Sequence, residues 1–235
     1  MSAPGVVSKL WRYPVKSMLG EACASLDLNE RGVKGDRLFA VRDADGKLGS
    51  GKTTRRFSRI DGLLAFRAID ADGVLEIVFP DGRRMRADDT QVHSELSSVL
   101  GQPVTLARET VSSHLDAAPV HVVTEASIAW LSSILPEALI DERRFRPNLV
   151  LAIPGTGRIE RNWIGATLCV GAQVKLKIGA ATQRCRMVTV AQTELPDDPL
   201  ILKEIGRNSA LHFGLYAEVL VPGTIRCGDP IRWKP

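Results

Sequence analysis

The residue of this 235-residue chain with the clearest chemical potential is Cys185, which lies between Arg184 and Arg186. Neighbouring arginines favour the thiolate of a cysteine, which is the form that binds metals or attacks as a nucleophile. Met-Val-Thr-Val follows, and this pattern predicts a strand over residues 187–190 that would hold the cysteine rigidly. The same stretch is also compatible with a half-buried cysteine that only packs as a small apolar side chain.

The remaining cysteines and the histidines offer less. Cys23, Cys169 and Cys227 are widely spaced and form neither a C-x-x-C motif nor a cluster with histidine, which argues against a structural zinc site. His121 lies in an apolar run and is interpreted as a core or strand-face residue. The sequence contains no G-x-S-x-G motif for acyl transfer, and no local signature identifies a base for a thiol enzyme.

The composition is that of a soluble globular protein. The chain is 44% hydrophobic and 25% charged, and it contains no apolar run of membrane-spanning length. Because the N-terminus lacks the features of a secretory signal, we expect a cytoplasmic protein without a membrane partner. The net charge of +4 favours anionic ligands mildly, but the scattered arginines and 5% aromatic content argue against nucleic-acid binding.

One motif points elsewhere. Residues 46–53 (GKLGSGKT) match the G-x-x-x-x-G-K-T pattern of nucleotide-binding loops, in which a strand enters the first glycine and a helix begins at the Lys-Thr pair. Here three residues, two of them acidic, precede Gly46, and no apolar helical stripe follows Thr53. The pattern therefore favours a hairpin turn followed by a basic loop, and an NTP-binding protein that uses Gly46 to Thr53 is an alternative.

The elements that must position Cys185 are mainly short strands. Brief apolar segments alternate with Gly- and Asp-containing turns, as at residues 43–46, which predicts a β-barrel or sandwich-like unit. Helices are expected over residues 89–100, after an N-cap at Thr124, and near residues 199–205. We place a domain boundary near residue 110, which gives domains over residues 1–110 and 111–235.

Several segments resemble, in family order, proteins in which an N-terminal MOSC β-barrel precedes a MOSC domain. They cover nearly the whole chain and are the following: residues 13–17 (YPVKS), 35–46 (GDRLFAVRDADG), 119–127 (PVHVVTEAS), 144–150 (RFRPNLV), 183–190 (QRCRMVTV), 213–219 (FGLYAEV) and 222–229 (PGTIRCGD). The resemblance implies a mainly β (α+β) fold in which an N-terminal β-barrel packs on a MOSC-type β-barrel with a few short helices.

The resemblance also implies a molybdenum cofactor, molybdenum held by the dithiolene of molybdopterin. By motif position, Cys185 would be both the molybdenum ligand and the catalytic residue. The pterin phosphate would be bound by Lys16, Ser17 and Arg37. The MOSC side of the pterin would be lined by Thr124, Ser127, Arg146, Asn148 and Thr189. A thiolate suits a soft metal centre, and Arg184 would offset part of the cofactor's negative charge.

Bacterial and mitochondrial amidoxime-reducing proteins are relatives in this family, so the resemblance implies an oxidoreductase that reduces N-hydroxylated compounds such as hydroxylamines and amidoximes. Some relatives end in an iron–sulfur ferredoxin domain, whereas this sequence has no such cysteine cluster. We therefore expect no iron–sulfur cluster in this chain and a separate electron-donor protein. Relatives commonly carry Asp soon after the Thr of the cysteine motif, but Val190-Ala191-Gln192 follows Thr189 here. A non-catalytic carrier or storage protein for the cofactor is thus an alternative.

Overall fold

A computed structural model describes residues 5–71 and 73–234. Within these residues the chain forms nineteen strands, three α-helices and four short 3-10 helices. The strands are β1 Gly5–Arg12, β2 Val15–Lys16, β3 Glu21–Cys23, β4 Ser25–Asn29, β5 Gly32–Val33, β6 Phe39–Arg42, β7 Leu48–Ser50, β8 Phe57–Arg59, β9 Arg67–Ala71, β10 Val74–Val78, β11 Arg84–Arg86, β12 Thr105–Arg108, β13 Val120–Thr124, β14 Leu149–Ala152, β15 Thr167–Val170, β16 Val174–Gln183, β17 His212–Val221, β18 Gly223–Arg226 and β19 Pro230–Lys234. The helices are α1 Val92–Leu100, α2 Glu125–Ile134 and α3 Pro199–Ser209, and the 3-10 helices are Leu63–Ala65, Glu142–Arg144, Ile159–Trp163 and Arg186–Val188.

The centre of the fold is a closed barrel of seven strands in the order β14-β13-β17-β16-β15-β19-β1. The first strand closes it, because β1 pairs with β19 through Gly5 and Val6 and with β14 from Val6 to Leu10. Along β1, the buried side chains of Val7 and Leu10 point into a core that also contains Leu149 and Leu215. The N-terminal segment is therefore an integral strand of the barrel that residues 120–234 otherwise build.

A second group of strands packs beside this barrel. β2, β6, β7, β8 and β12 form one sheet, and β9, β10 and β11 form another. Their core includes Val15, Met18, Phe66 and Ile77, and α1 contributes Leu96. The described residues thus have two main hydrophobic cores, while the division of the chain at residue 110 stays a prediction.

The mainly β architecture with a few helices is confirmed. So is the hairpin at residues 43–46, where Arg42 pairs with Leu48 and the Asp43 carboxylate accepts hydrogen bonds from the Asp45 and Lys47 amides. The cap at Thr124 is confirmed as well, since its hydroxyl accepts a hydrogen bond of 3.1 Å from the Ser127 amide. The sequence also predicts a turn at Asp72-Gly73 between two short strands, and Asp72 lies outside the described residues.

The predicted strand over residues 187–190 is wrong. Cys185 instead begins the 3-10 helix Arg186–Val188, which is closed by local bonds from the Val188 amide to the Cys185 carbonyl and from the Thr189 hydroxyl to the Arg186 carbonyl. The β-branched side chains matched a strand pattern, but these local bonds satisfy the backbone without a neighbouring strand. Cys185 nevertheless follows directly on the long strand β16.

The nucleotide-loop motif lacks its structural context. β7 lies inside the motif, and bends instead of a helix occupy the chain from Gly51 to Arg56. Without a helix N-terminus at Lys52, nothing aligns backbone amides on a phosphate. The interpretation of this stretch as a hairpin turn followed by a loop is confirmed.

Among the described residues, no helix combines the length and the apolar character that crossing a bilayer requires.

Candidate functional site

A cavity of about 220 Å³ lies where the two strand groups meet. It collects residues from segments far apart in sequence, because β2, the segment just before β14 and the end of β16 all reach it. Seven of the predicted site residues line it: Lys16, Ser17, Arg37, Arg146, Asn148, Arg184 and Cys185. The structure therefore brings together most of the predicted set around one cysteine.

The N-terminal part of the site is held by strand pairing. β2 runs parallel to β6, with Lys16 opposite Ala40, so the lysine leaves a buried strand directly at the cavity. Ser17 follows, and its hydroxyl donates a 3.0 Å hydrogen bond to the Gly49 carbonyl. Arg37 is fixed by a 2.7 Å bond from its amide to the Tyr13 carbonyl.

The C-terminal part is fixed by Asn148, at the start of β14. Its side-chain oxygen accepts from the His121 amide at 3.1 Å, and its side-chain nitrogen donates to the Trp11 carbonyl at 3.3 Å. The amide of Asn148 thus joins β13 and β1 to the segment that carries Arg146. Asn148 borders the cavity, and most of its hydrogen-bonding capacity holds the walls together.

Three residues of the site have a left-handed backbone. The φ angles are 65° at Ser17, 49° at Arg37 and 56° at Arg146. Such a conformation is unfavourable for any residue with a Cβ, and each one costs about 1–3 kcal/mol. Because all three lie at one cavity, we infer that the rest of the fold compensates for this backbone strain and that the strain orients the three side chains towards the cavity.

The cavity is strongly cationic, and several of its cations are buried. Lys16, Arg37 and Arg146 are buried, and burial lowers the pKa of Lys16. Burial, together with repulsion from Arg37, lowers the pKa of Arg146 to about 10. Burial opposes the charge of Arg37 as well, but the adjacent Asp36 carboxylate outweighs it and raises the Arg37 pKa.

Two of the arginines that line the cavity have hydrogen-bond donors without a partner in the described part of the chain. Nη2 of Arg146 and Nε of Arg184 are buried, and neither has a hydrogen-bond partner among the described residues. A buried donor without an acceptor costs about 1–3 kcal/mol, so such donors call for an explanation. An anionic group in the cavity would provide the missing acceptors.

Cys185 is half-buried and carries a free thiol at this cavity. The segment over residues 47–59, which contains the short strands β7 and β8 and which we call the rim loop, forms the facing wall. It contributes Ser50, Lys52 and Phe57 to the cavity. A side chain at Gly51 would come within 2.7 Å of Met187, so the rim loop packs directly on the cysteine segment. The cysteine therefore faces a confined space instead of open solvent.

Three predicted cofactor-binding residues, Thr124, Ser127 and Thr189, do not line this cavity. The hydroxyls of Thr124 and Ser127 both donate to the buried carboxylate of Glu160, at 2.9 Å for Thr124. Thr189 uses its hydroxyl on the Arg186 carbonyl in the turn after Cys185. These hydroxyls stabilise a helix N-terminus and a turn, which is the reason they face away from the cavity.

Sequence reasoning missed His121, Tyr216 and Asp116, all of which line the cavity. Nε2 of His121 lies 3.5 Å from Nη1 of Arg184, and Nδ1 lies 3.3 Å from the Arg146 carbonyl. A guanidinium can only donate, so Nε2 accepts and the ring proton is placed on Nδ1. Burial, reinforced by Arg184, lowers the His121 pKa well below its ordinary value, so the ring is a neutral link between Arg146 and Arg184.

No motif identified these three residues in advance. His121 looks like one member of an apolar strand, and only the pairing of β13 with β17, which places it opposite Tyr216, brings both to the cavity. Asp116 lies in a polar stretch without regular structure, and its position depends entirely on tertiary contacts.

The fold and the site define a class of protein. The MOSC domain model matches residues 100–232, and the model of the MOSC N-terminal beta barrel domain matches residues 4–138. Since each match covers more than half of the chain, the protein belongs to the MOSC domain family.

The sequence identity to individual relatives is low. The chain is 28% identical to mitochondrial amidoxime-reducing component 1 of Mus musculus and 26% identical to that of Homo sapiens, with 97% of this chain and 82% of the relative covered in both comparisons. Among solved structures, the YUAD protein from Bacillus subtilis is similar with a TM-score of 0.55 at 14% identity, and 97% of this chain and 94% of that chain are covered. This second likeness concerns the fold alone.

Proposed function

We propose that this protein binds a molybdenum–molybdopterin cofactor through Cys185 and reduces N-hydroxylated compounds with electrons from a separate donor protein. One observation carries the proposal: a free thiol and five basic side chains share one cavity, and two of those side chains have buried donors without an acceptor among the described residues. Membership of the MOSC family and the similarity to amidoxime-reducing components support the same function.

The donor set fits such a cofactor. A cysteine thiolate is a soft ligand suited to a redox metal with sulfur ligands. Lys16, Arg37 and Arg146 would hold the phosphate, because charge-assisted hydrogen bonds to phosphate are strong. A left-handed backbone at Arg37 and Arg146 presents these two side chains to the cavity. Arg184, directly before Cys185, would balance negative charge near the metal.

When bound, the cofactor would supply the two-electron chemistry that cleaves an N–O bond. Reduction of an N-hydroxyl group consumes two electrons and two protons and releases the amine or amidine and water. The chain itself binds and orients: the rim loop restricts water at Cys185, and neutral His121 holds Arg146 and Arg184 in place without adding a competing charge.

Metal content tests the proposal. We expect the wild-type protein, expressed in cells that make the cofactor, to contain molybdenum by elemental analysis and Cys185→Ala to lose most of it. Cys227→Ala is the matched control, because Cys227 is an exposed thiol outside the cavity. Equal molybdenum in wild type and Cys185→Ala would refute a cysteine-ligated site.

A second candidate is a carrier that holds the cofactor without turnover. The observation in its favour is the scarcity of acids: among the described residues that line the cavity, Asp116 is the only one with a carboxylate, and it pairs with Lys16. Adding a chemical reductant and a hydroxylamine to molybdenum-loaded protein separates the two functions. Turnover supports the enzyme, whereas tight retention of the cofactor without turnover supports the carrier.

A further inference from the structure

Asp116 occupies a place that an anionic ligand would need. Its carboxylate forms an ion pair with Lys16, whose side chain is only 3% exposed, whereas the Asp116 side chain is 50% exposed. The carboxylate therefore stands between the buried ammonium group and solvent. Partial loss of hydration works against the Asp116 charge, but Lys16 and Arg37 outweigh it and lower the Asp116 pKa, so the group is a carboxylate at neutral pH.

The backbone around Asp116 is anchored independently of Lys16. At one end of the segment over residues 109–116, Glu109 accepts two hydrogen bonds from Arg31, at 2.7 and 2.8 Å. At the other end, the Arg56 guanidinium donates to the carbonyls of Ser113, Leu115 and Asp116. Since the main chain is held by these contacts, the Asp116 side chain can leave Lys16 without moving the segment.

The charges of the site show what this carboxylate changes. Five positive charges lie at the cavity, on Lys16, Arg37, Lys52, Arg146 and Arg184. Asp36 is fully buried against Arg37 and cannot exchange with a ligand, whereas Asp116 can. Three positive charges remain when both carboxylates are counted, which favours an anion with more than one negative charge, such as a phosphate monoester.

We propose that Asp116 is an internal competitor for Lys16, which an incoming phosphate-type dianion must displace, and that it thereby sets the affinity and the charge preference of the cavity. The proposal deepens the proposed function, because it rests on the cavity receiving the phosphate of a cofactor. It assigns opposite effects to one residue: Asp116 stabilises the ligand-free protein by pairing a buried ammonium group, and it weakens the binding of anions.

Inorganic phosphate and pyrophosphate are suitable probes, since neither requires molybdenum. We expect Asp116→Asn to lower the melting temperature of the ligand-free protein and to bind both anions at least about tenfold more tightly in calorimetry, with the larger gain for pyrophosphate. Asp116→Ala is a second variant that should act in the same direction. Asp81→Asn is the control, because Asp81 is an exposed carboxylate that pairs with Arg83 and does not line the cavity.

A double-mutant cycle assigns the effect to Lys16. In a Lys16→Met background, Asp116→Asn should change phosphate affinity by less than about twofold. Unchanged or weaker phosphate binding by both folded Asp116 variants, or equal tightening by Asp81→Asn, would overturn the proposal. If the wild-type protein contains no molybdenum and the Asp116 variants still bind anions more tightly than the wild type, the proposed cofactor is refuted and the role of Asp116 stands.

Discussion

At the scale of single residues, Arg146 combines three unfavourable features. Its φ is 56°, its guanidinium is buried, and its Nη2 has no acceptor among the described residues. A residue selected for stability alone would carry none of these. Such a combination is typical of a position retained for binding, where local strain and unpaired donors persist because the surrounding structure enforces them.

His114 should make stability depend on pH. It is buried, and burial together with repulsion from Arg42 lowers its pKa from 6.5 to about 4. The unfolded chain therefore binds more protons between these two values, so the free energy of unfolding falls as the pH drops from 6.5 towards 4. His121 acts in the same direction.

We expect His114→Gln to flatten this dependence by roughly 2 kcal/mol, measured by urea unfolding at several pH values. Wild-type and variant curves that stay parallel over the whole range would contradict the assignment. Below pH 4, both proteins should lose further stability in the same way, because Glu109, with its pKa of about 2, takes up a proton there.

At the scale of elements, the site depends on contact between the rim loop and the 3-10 helix Arg186–Val188. Met187 packs on Gly51, and Arg186 forms a 3.2 Å ion pair with Asp61 just beyond the loop. The residues that resemble a nucleotide-binding loop thus serve as one wall of a different site. Glycine is needed at position 51 for close approach.

Gly51→Ala should loosen this wall. The added methyl group would lie 2.7 Å from the Met187 sulfur, and the flexible methionine must move aside. We expect alkylation of Cys185 by iodoacetamide, followed by peptide mass spectrometry, to become several-fold faster, with stability lowered by about 1 kcal/mol. Gly179→Ala is the control, because its methyl group meets nothing closer than 3.9 Å. Equal alkylation rates in both variants would show that the contact does not shield the thiol.

How much of this could be predicted from the sequence differs between elements. Alternating apolar residues and turn signals identified most strands, and the Thr124 cap follows from a hydroxyl three residues before its amide partner. The 3-10 helix after Cys185 could not be predicted, because local hydrogen bonds override a β-branched pattern there. Motif position identified Lys16 and Arg146, but it could not reveal that Glu160 takes the hydroxyls of Thr124 and Ser127.

At the scale of the whole molecule, the first strand links both ends of the chain. β1 fills the place between β14 and β19, with Val6 opposite both Ala152 and Pro230. Leu10 is 1% exposed within the barrel core. The predicted domain over residues 111–235 is therefore structurally incomplete without residues 5–12.

A fragment of residues 111–235 should not fold on its own. Without β1, β14 and β19 lose a shared partner and the barrel cannot close, so we expect no cooperative thermal transition in circular dichroism. Leu10→Ala in the full chain should be cooperative but less stable by about 2–5 kcal/mol. A fragment that melts cooperatively would support an autonomous domain beginning near residue 111.

The closing position of β1 also has a consequence for biosynthesis. Residues 5–12 leave the ribosome long before their partners at residues 149–152 and 230–231, because translation adds only about 5 to 20 residues per second. Throughout that interval the apolar residues of this segment lack their native partners and are exposed to chaperones and to neighbouring nascent chains. The complete barrel beside the cavity therefore forms only after β19 has been translated, and we expect any prosthetic group to bind after that point.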